Sequence, residues 1–239
     1  LDDLVRRGEQ LSLAGADILD VGGVKAGPGA EVSEAEELDR VIPAVEALHA
    51  RLDIAISVDT WRASVLSAAC EAGALVGNDI SGFADPEYLS VAARHKVSVV
   101  ATHIRVAPRV PDPDPHYDDL VSDVLAQLLD RAERAESAGL DPDQIAVDAG
   151  LDLGKTPAMS AMLLRESGVL AATGYTLLLS ASNKRFLGDL LGLDIDQRRE
   201  ASLAAVAYGV AHGCRIVRVH DVAGSVQVCR AIEAIQNSL

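Results

Sequence analysis

The chain has 239 residues and a formal net charge of −15; 49% of its residues are hydrophobic and only 3% aromatic. Such a balance repels a phosphate backbone, and with no Lys/Arg stripe it excludes nucleic acid as a partner. No run of about 18 apolar residues occurs, so no membrane-spanning helix is expected. Three widely spaced cysteines, Cys70, Cys214 and Cys229, form no CxxC and are odd in number. They predict a reducing, cytoplasmic setting without a disulfide framework. Leu1 is not an initiator methionine, so a secretory leader is neither indicated nor excluded.

Helical patterns and short β-branched runs alternate from end to end, the signature of βαβ units and a parallel sheet. Helices are predicted over Leu1 to Ala14, Ser33 to Leu52, Arg62 to Ala72, Pro86 to Lys96, Tyr117 to Gly139, Pro157 to Ala171, Ile195 to His212 and Val222 to Ser238. Strands are predicted over Asp17 to Val21, Ile54 to Val58, Ala74 to Asp79, Val97 to Thr102, Gln144 to Asp148, Tyr175 to Ser180 and Cys214 to Val219. Eight helices with seven strands, helix first, predict a single α/β domain over residues 1–239. The expected fold is a (β/α)8 TIM barrel lacking its first strand. A doubly wound open sheet is the alternative, but Asp20-Val21-Gly22-Gly23 lacks the GxGxxG spacing of its phosphate loop.

In either fold the site lies at the carboxyl ends of the strands. Those ends carry Asp20, Asp59, Asn78 with Asp79, His103, Asp148, Ser182 with Lys184, and Arg218 with His220. Each has a plain structural explanation, since an Asp after a strand often caps the next helix and a lone His is more often hydrogen-bonded than catalytic. That all seven strands end so is harder to assign to capping alone. Inward carboxylates, an amide and an ammonium suit a flat polar heterocycle, with Asp148 taking a pair of N–H donors and Asn78 and Lys184 serving its acceptors. Arg218 and His220, two apart on the last strand, face one way and offer donors to an anion.

The ordered motifs SVDT (Ser57 to Thr60), NDISG (Asn78 to Gly82), SNKRFLG (Ser182 to Gly188) and RVHDV (Arg218 to Val222) resemble those of dihydropteroate synthases. DVGG at Asp20 to Gly23, Pro28-Gly29, His103 and DAGLDLGKT from Asp148 to Thr156 extend the resemblance over essentially the whole chain. It implies an enzyme of folate synthesis that joins 6-hydroxymethyl-7,8-dihydropterin pyrophosphate to p-aminobenzoate, giving 7,8-dihydropteroate and pyrophosphate by a dissociative displacement. By position it makes Asp59, Asn78, Asp148 and Lys184 the pterin-binding residues, Arg218 and His220 the pyrophosphate ligands, and Ser182 and Pro28 neighbours of p-aminobenzoate. Lys184, Arg218 and His220 thereby become the catalytic group. The resemblance also implies a homodimer, consistent with the nearly all-apolar stretch Ala201 to Ala211. It implies Mg2+ as cofactor, although its ligand in the family lies on the absent strand and no metal ligand is visible in the chain.

Departures from the family pattern cluster on one side. Where its second loop reads Gly-Gly-Glu-Ser-Thr-Arg-Pro-Gly, the chain has Gly22 to Gly29 with Gly27 in place of the phosphate-binding arginine and Ala26 in place of Thr. Lys25 is a candidate substitute, a looser point charge. Asn183 replaces Arg in the Ser-Arg-Lys motif, Ser180 a Gly, Leu153 a pocket Phe and Asp152 a Gly. Three readings follow: a working synthase, a pterin-binding paralogue with weak or no turnover, and a methyltransferase like those that bind methyltetrahydrofolate. The last leaves Arg218 and His220 without a purpose.

Overall fold

The computed structural model describes every residue except Pro28 and Leu239. Seven strands form one all-parallel sheet in sequence order: β1 (Ile18–Gly22), β2 (Ala55–Asp59), β3 (Val76–Asp79), β4 (Ser98–Thr102), β5 (Ile145–Asp148), β6 (Thr176–Leu179) and β7 (Ile216–Val217). Between them run α1 (Asp2–Leu13), α2 (Glu34–His49), α3 (Ala63–Glu71), α4 (Tyr88–His95), α5 (Leu120–Ser137), α6 (Pro157–Arg165), α7 (Ser167–Ala171), α8 (Arg185–Leu191), α9 (Arg199–Ala211) and α10 (Val222–Gln236). The sheet curls into a (β/α)8 barrel with one strand position open. β1 and β7 are its edges, and the slot between them is lined by Ile18, Leu19, Ile216, Val217 and Val226.

Local chemistry sets the helix starts. Ser33, Asp119, Thr156 and Asp221 each accept a hydrogen bond from a backbone N–H in the first turn of the helix that follows, satisfying donors that have no partner inside the helix. Asp221 in RVHDV is thus the N-cap of α10. Two expectations need correction. The single helix over Pro157 to Ala171 is broken at Glu166, and α8 was not predicted.

Strand side chains alternate between the two faces of the sheet, so each strand contributes to two cores. Ile56, Val58, Val99, Ala101, Val147, Leu177 and Leu179 pack outward against the helices in the main core. Val100, Ala146 and Leu178 form a smaller inner layer with Val76 and Ile216. One step further along the same inward columns, the side chains become polar.

Candidate active site

Counting two residues on from the inner apolar layer gives the floor of the barrel mouth. Val76 is followed by Asn78, Val100 by Thr102, Ala146 by Asp148, Leu178 by Ser180, Ile216 by Arg218, Ile18 by Asp20 and Ser57 by Asp59. Strand register holds the columns side by side, with Asp59 opposite Asn78 and Thr102 opposite Asp148. Asp59, Asn78, Asp148 and Arg218 therefore face one space, together with Asp20.

Asp20 is the residue the sequence reading left without a role. Its Oδ2 accepts from Arg218 Nε at 2.6 Å and from Asn78 Nδ2 at 3.2 Å, while Arg218 Nη2 donates to Asp59 Oδ2 at 3.1 Å. One guanidinium thus ties β7 to β1 and β2 across the open strand position. Burial, reinforced by the neighbouring Asp20 carboxylate and opposed by Arg218, pushes Asp59 up to about 7. Asp20 Oδ1 is buried and has no hydrogen-bond partner among the described residues.

Asp148 is buried, and burial raises its pKa against the opposing pull of the Gly150 N–H and of Lys184, Lys155 and Arg218. The Gly150 N–H donates to its Oδ1 at 2.8 Å. Gly150 has φ +64°, and a Cβ there would collide with the His103 carbonyl, so only glycine places that N–H under the carboxylate. Lys155 braces the same turn, donating to the carbonyls of Gly150 and Leu153, both at 2.9 Å, and meeting His103 Nδ1 at 2.8 Å. Burial holds this amine down to about 7, and burial with the adjacent Lys155 and Arg131 charges holds His103 down to about 2. His103 follows inward-facing Thr102 and by alternation faces the helices. It is a buried structural histidine, not part of the mouth. Asp79 likewise faces outward, accepting from Ser81 N–H, Ser81 Oγ and Phe83 N–H to shape its loop.

Lys184 donates from Nζ to the Leu151 carbonyl at 3.0 Å. Its backbone turn is fixed from outside: Asp152 accepts from the N–H groups of Arg185 and Phe186 at 2.6 and 3.2 Å, capping α8. Asn183, at φ +57°, donates its N–H to Ser202 Oγ at 3.0 Å, and its carbonyl accepts from Arg198. Asn tolerates that left-handed conformation better than most residues. Ser182 Oγ lies 2.9 Å from His220 Nδ1 and also accepts the His220 N–H at 3.2 Å, so it orients the histidine. Burial, then the Arg218 and Lys184 charges, lower the His220 pKa. Pro28 lies outside the described residues. Lys25 and Gly27 are exposed, and a side chain at Gly27 would meet open space. Among the described residues no three His, Cys, Asp or Glu side chains cluster as a metal cage; Asp20 and Asp59 each engage Arg218 through Oδ2, which leaves Asp20 Oδ1 without a partner.

Residues 1–220 match the protein family described as pterin binding enzyme. The chain belongs to that family. It is 39% identical to the dihydropteroate synthase of Bacillus subtilis, over 99% of this chain and 81% of that protein. It is 41% identical to the inactive dihydropteroate synthase 2 of Mycobacterium leprae, over 99% and 84%. The structure of dihydropteroate synthase from Xanthomonas albilineans in complex with 7,8-dihydropteroate superposes with a TM-score of 0.88 at 37% identity, covering 98% of this chain and 84% of that one. As a pterin binding enzyme, the chain combines the buried Asp148 carboxylate with an Arg218 guanidinium paired to Asp20 and Asp59.

Proposed function

We propose that this pterin binding enzyme is a dihydropteroate synthase, condensing 6-hydroxymethyl-7,8-dihydropterin pyrophosphate with p-aminobenzoate. The observation that carries the reading is the convergence of Asp59, Asn78 and Asp148 with Lys184 and Arg218 on one mouth. Asp148 accepts from the amino edge of the pterin, Asn78 and Lys184 serve its ring acceptors, and Arg218 and His220 take the pyrophosphate. The C–O bond to pyrophosphate breaks, the C–N bond to p-aminobenzoate forms, and the amine gives up a proton. The positive charge on the pterin methylene as pyrophosphate leaves is stabilised by buried carboxylates, and the leaving oxygens by fixed donors. Ser182 sets the direction of His220 and, with Pro28, is assigned to the p-aminobenzoate side. Mg2+ enters only as a companion of the pyrophosphate oxygens; no residue is assigned to it.

A second reading has specific support. Gly27 gives the β1 loop no arginine, and relatives 41% identical are named inactive dihydropteroate synthase 2. A pterin-binding paralogue with little turnover would keep Asp148 and its neighbours and lose the anion end. A pyrophosphate-release assay with both substrates separates the two: release that requires p-aminobenzoate and disappears in Asp148→Asn supports the synthase. Pterin binding without release leaves the paralogue. We further assign the protein to the cytoplasm, on its three unpaired cysteines, and to a homodimer. Among the described residues no helix is long and apolar enough to cross a membrane.

A further inference from the structure

The pyrophosphate end of the mouth is short of usable positive charge. Arg218 is shared between two carboxylates. His220 is shifted toward its neutral form. The β1 loop, residues 23–33, offers Lys25 as its one cation, exposed and, among the described residues, without a hydrogen bond or ion pair to hold it in place.

A cation from elsewhere reaches this loop. β1 and β4 are separated in the sheet by β2 and β3, yet Arg109, in the β4–α5 connection of residues 103–119, donates from Nη2 to the Ala30 carbonyl at 2.6 Å. A Cβ on Gly29 would lie 3.1 Å from the same nitrogen. Further along, this connection is fastened to the Asp148 loop, where Tyr117 Oη donates to the Gly154 carbonyl at 2.8 Å. It thus spans from the β5 loop to the β1 loop, over the carboxyl ends of the strands. Among the described residues Arg109 has no carboxylate partner, and the Ala30 bond uses one of its five donors. It is held at φ +67°, which is unfavourable for an arginine.

We propose that Arg109 is the cation that completes the pyrophosphate site, reaching across the mouth to the loop that has Gly27. The inference rests on the assignment of Arg218 and His220 to pyrophosphate. A guanidinium already docked on the β1 loop presents its remaining N–H groups to an anion with little further ordering, and a planar fork suits phosphate oxygens. Arg109 then takes the part for which the sequence offered Lys25 as a candidate substitute.

Calorimetric titration of the full chain with inorganic pyrophosphate tests this, with a neutral pterin as the reference ligand. Arg109→Ala and Arg109→Gln should both weaken pyrophosphate about tenfold, the worth of one charge-assisted hydrogen bond. Both should also flatten its salt dependence, leaving pterin affinity and the melting curve unchanged. Lys25→Ala should behave as wild type. If Arg109→Gln binds like wild type and only Arg109→Ala is weak, Arg109 merely ties two loops and the proposal fails. It fails also if both variants are silent while Arg218→Ala weakens pyrophosphate. If Arg218→Ala is silent too, the pyrophosphate assignment itself falls and takes this inference with it.

Discussion

Burial acts on both Asp148 and His220 against their charged forms. For Asp148, the Gly150 N–H, Lys184 and Lys155 work the other way, and a pterin amino edge would add two donors to the ionised form. Asp148→Asn sets a donor against donors. A hydrogen bond to a charged group is worth roughly 1.5–3 kcal/mol, so pterin affinity should fall at least about tenfold in calorimetry. Equal affinity would contradict the pose. For His220 the sign runs through its two states. The free protein holds the imidazole below its ordinary pKa of 6.5, whereas bound pyrophosphate favours imidazolium and raises that value. A proton is therefore taken up on binding between the two values, and affinity tightens as pH falls through the bound value and levels off below the free one. His220→Gln removes this part. Comparing wild type with the variant cancels the ligand's own titration, and parallel pH profiles would show that His220 does not touch the anion.

Elements were legible where their information is local. Seven strands could be read because short Val- and Ile-rich runs recur between helical patterns, and the helix start at Ser33 because that side chain caps within its own turn, whereas the helix expected from Tyr117 begins only at Leu120, behind the Asp119 cap. The mouth was legible for Asp59, Asn78, Asp148 and Arg218 because alternation along a strand fixes which side chains face inward. The role of Asp20 depends on Arg218, 198 positions away, and no local pattern announces that pairing. α8 was missed for the same reason. Seven residues, Arg185 to Leu191, are too few for a clear 3.6 period, and the cap comes from Asp152 on another loop. Asp152 is itself at φ +67°, where glycine is at ease. Removing the carboxylate should cost about 1 kcal/mol of stability. In Asp152→Gly, relief of the left-handed backbone offsets much of that, whereas Asp152→Ala loses the cap and keeps the strain. Urea unfolding should place the alanine variant about 1 kcal/mol below the glycine variant. The reverse order would show that the left-handed backbone at Asp152 carries no strain.

At the scale of the whole molecule, the outer ring of helices is uneven. α9 buries Ser202, Ala205, Val206 and Gly209 against its neighbours, α10 and α6 among them, which accounts for much of its apolar sequence within one subunit. The remaining face is not polar, however: Ala204 and Tyr208 are exposed on it, Tyr208 stacking on His212 at 4.1 Å. Met162, Val169, Leu190 and Leu191, on the neighbouring α6, α7 and α8, are exposed as well. A helix ring around a barrel should present charge to water, and an apolar stretch there suits contact with a second copy. Two chains each carrying −15 repel, so an apolar contact has to overcome a charge barrier that salt screens. Association should accordingly strengthen as salt rises, the opposite of what an ion-paired interface would show. Sedimentation at micromolar concentration should find a dimer, tighter at about 0.5 M than at about 0.05 M salt, conditions at which the Debye length differs about threefold. Tyr208→Glu, on the exposed side of α9, and Leu191→Glu, at the end of α8, should each shift the population to monomer without altering pterin affinity. A wild-type protein that sediments only as monomer would remove the dimer from the proposal. A dimer indifferent to both substitutions would put its interface on another face.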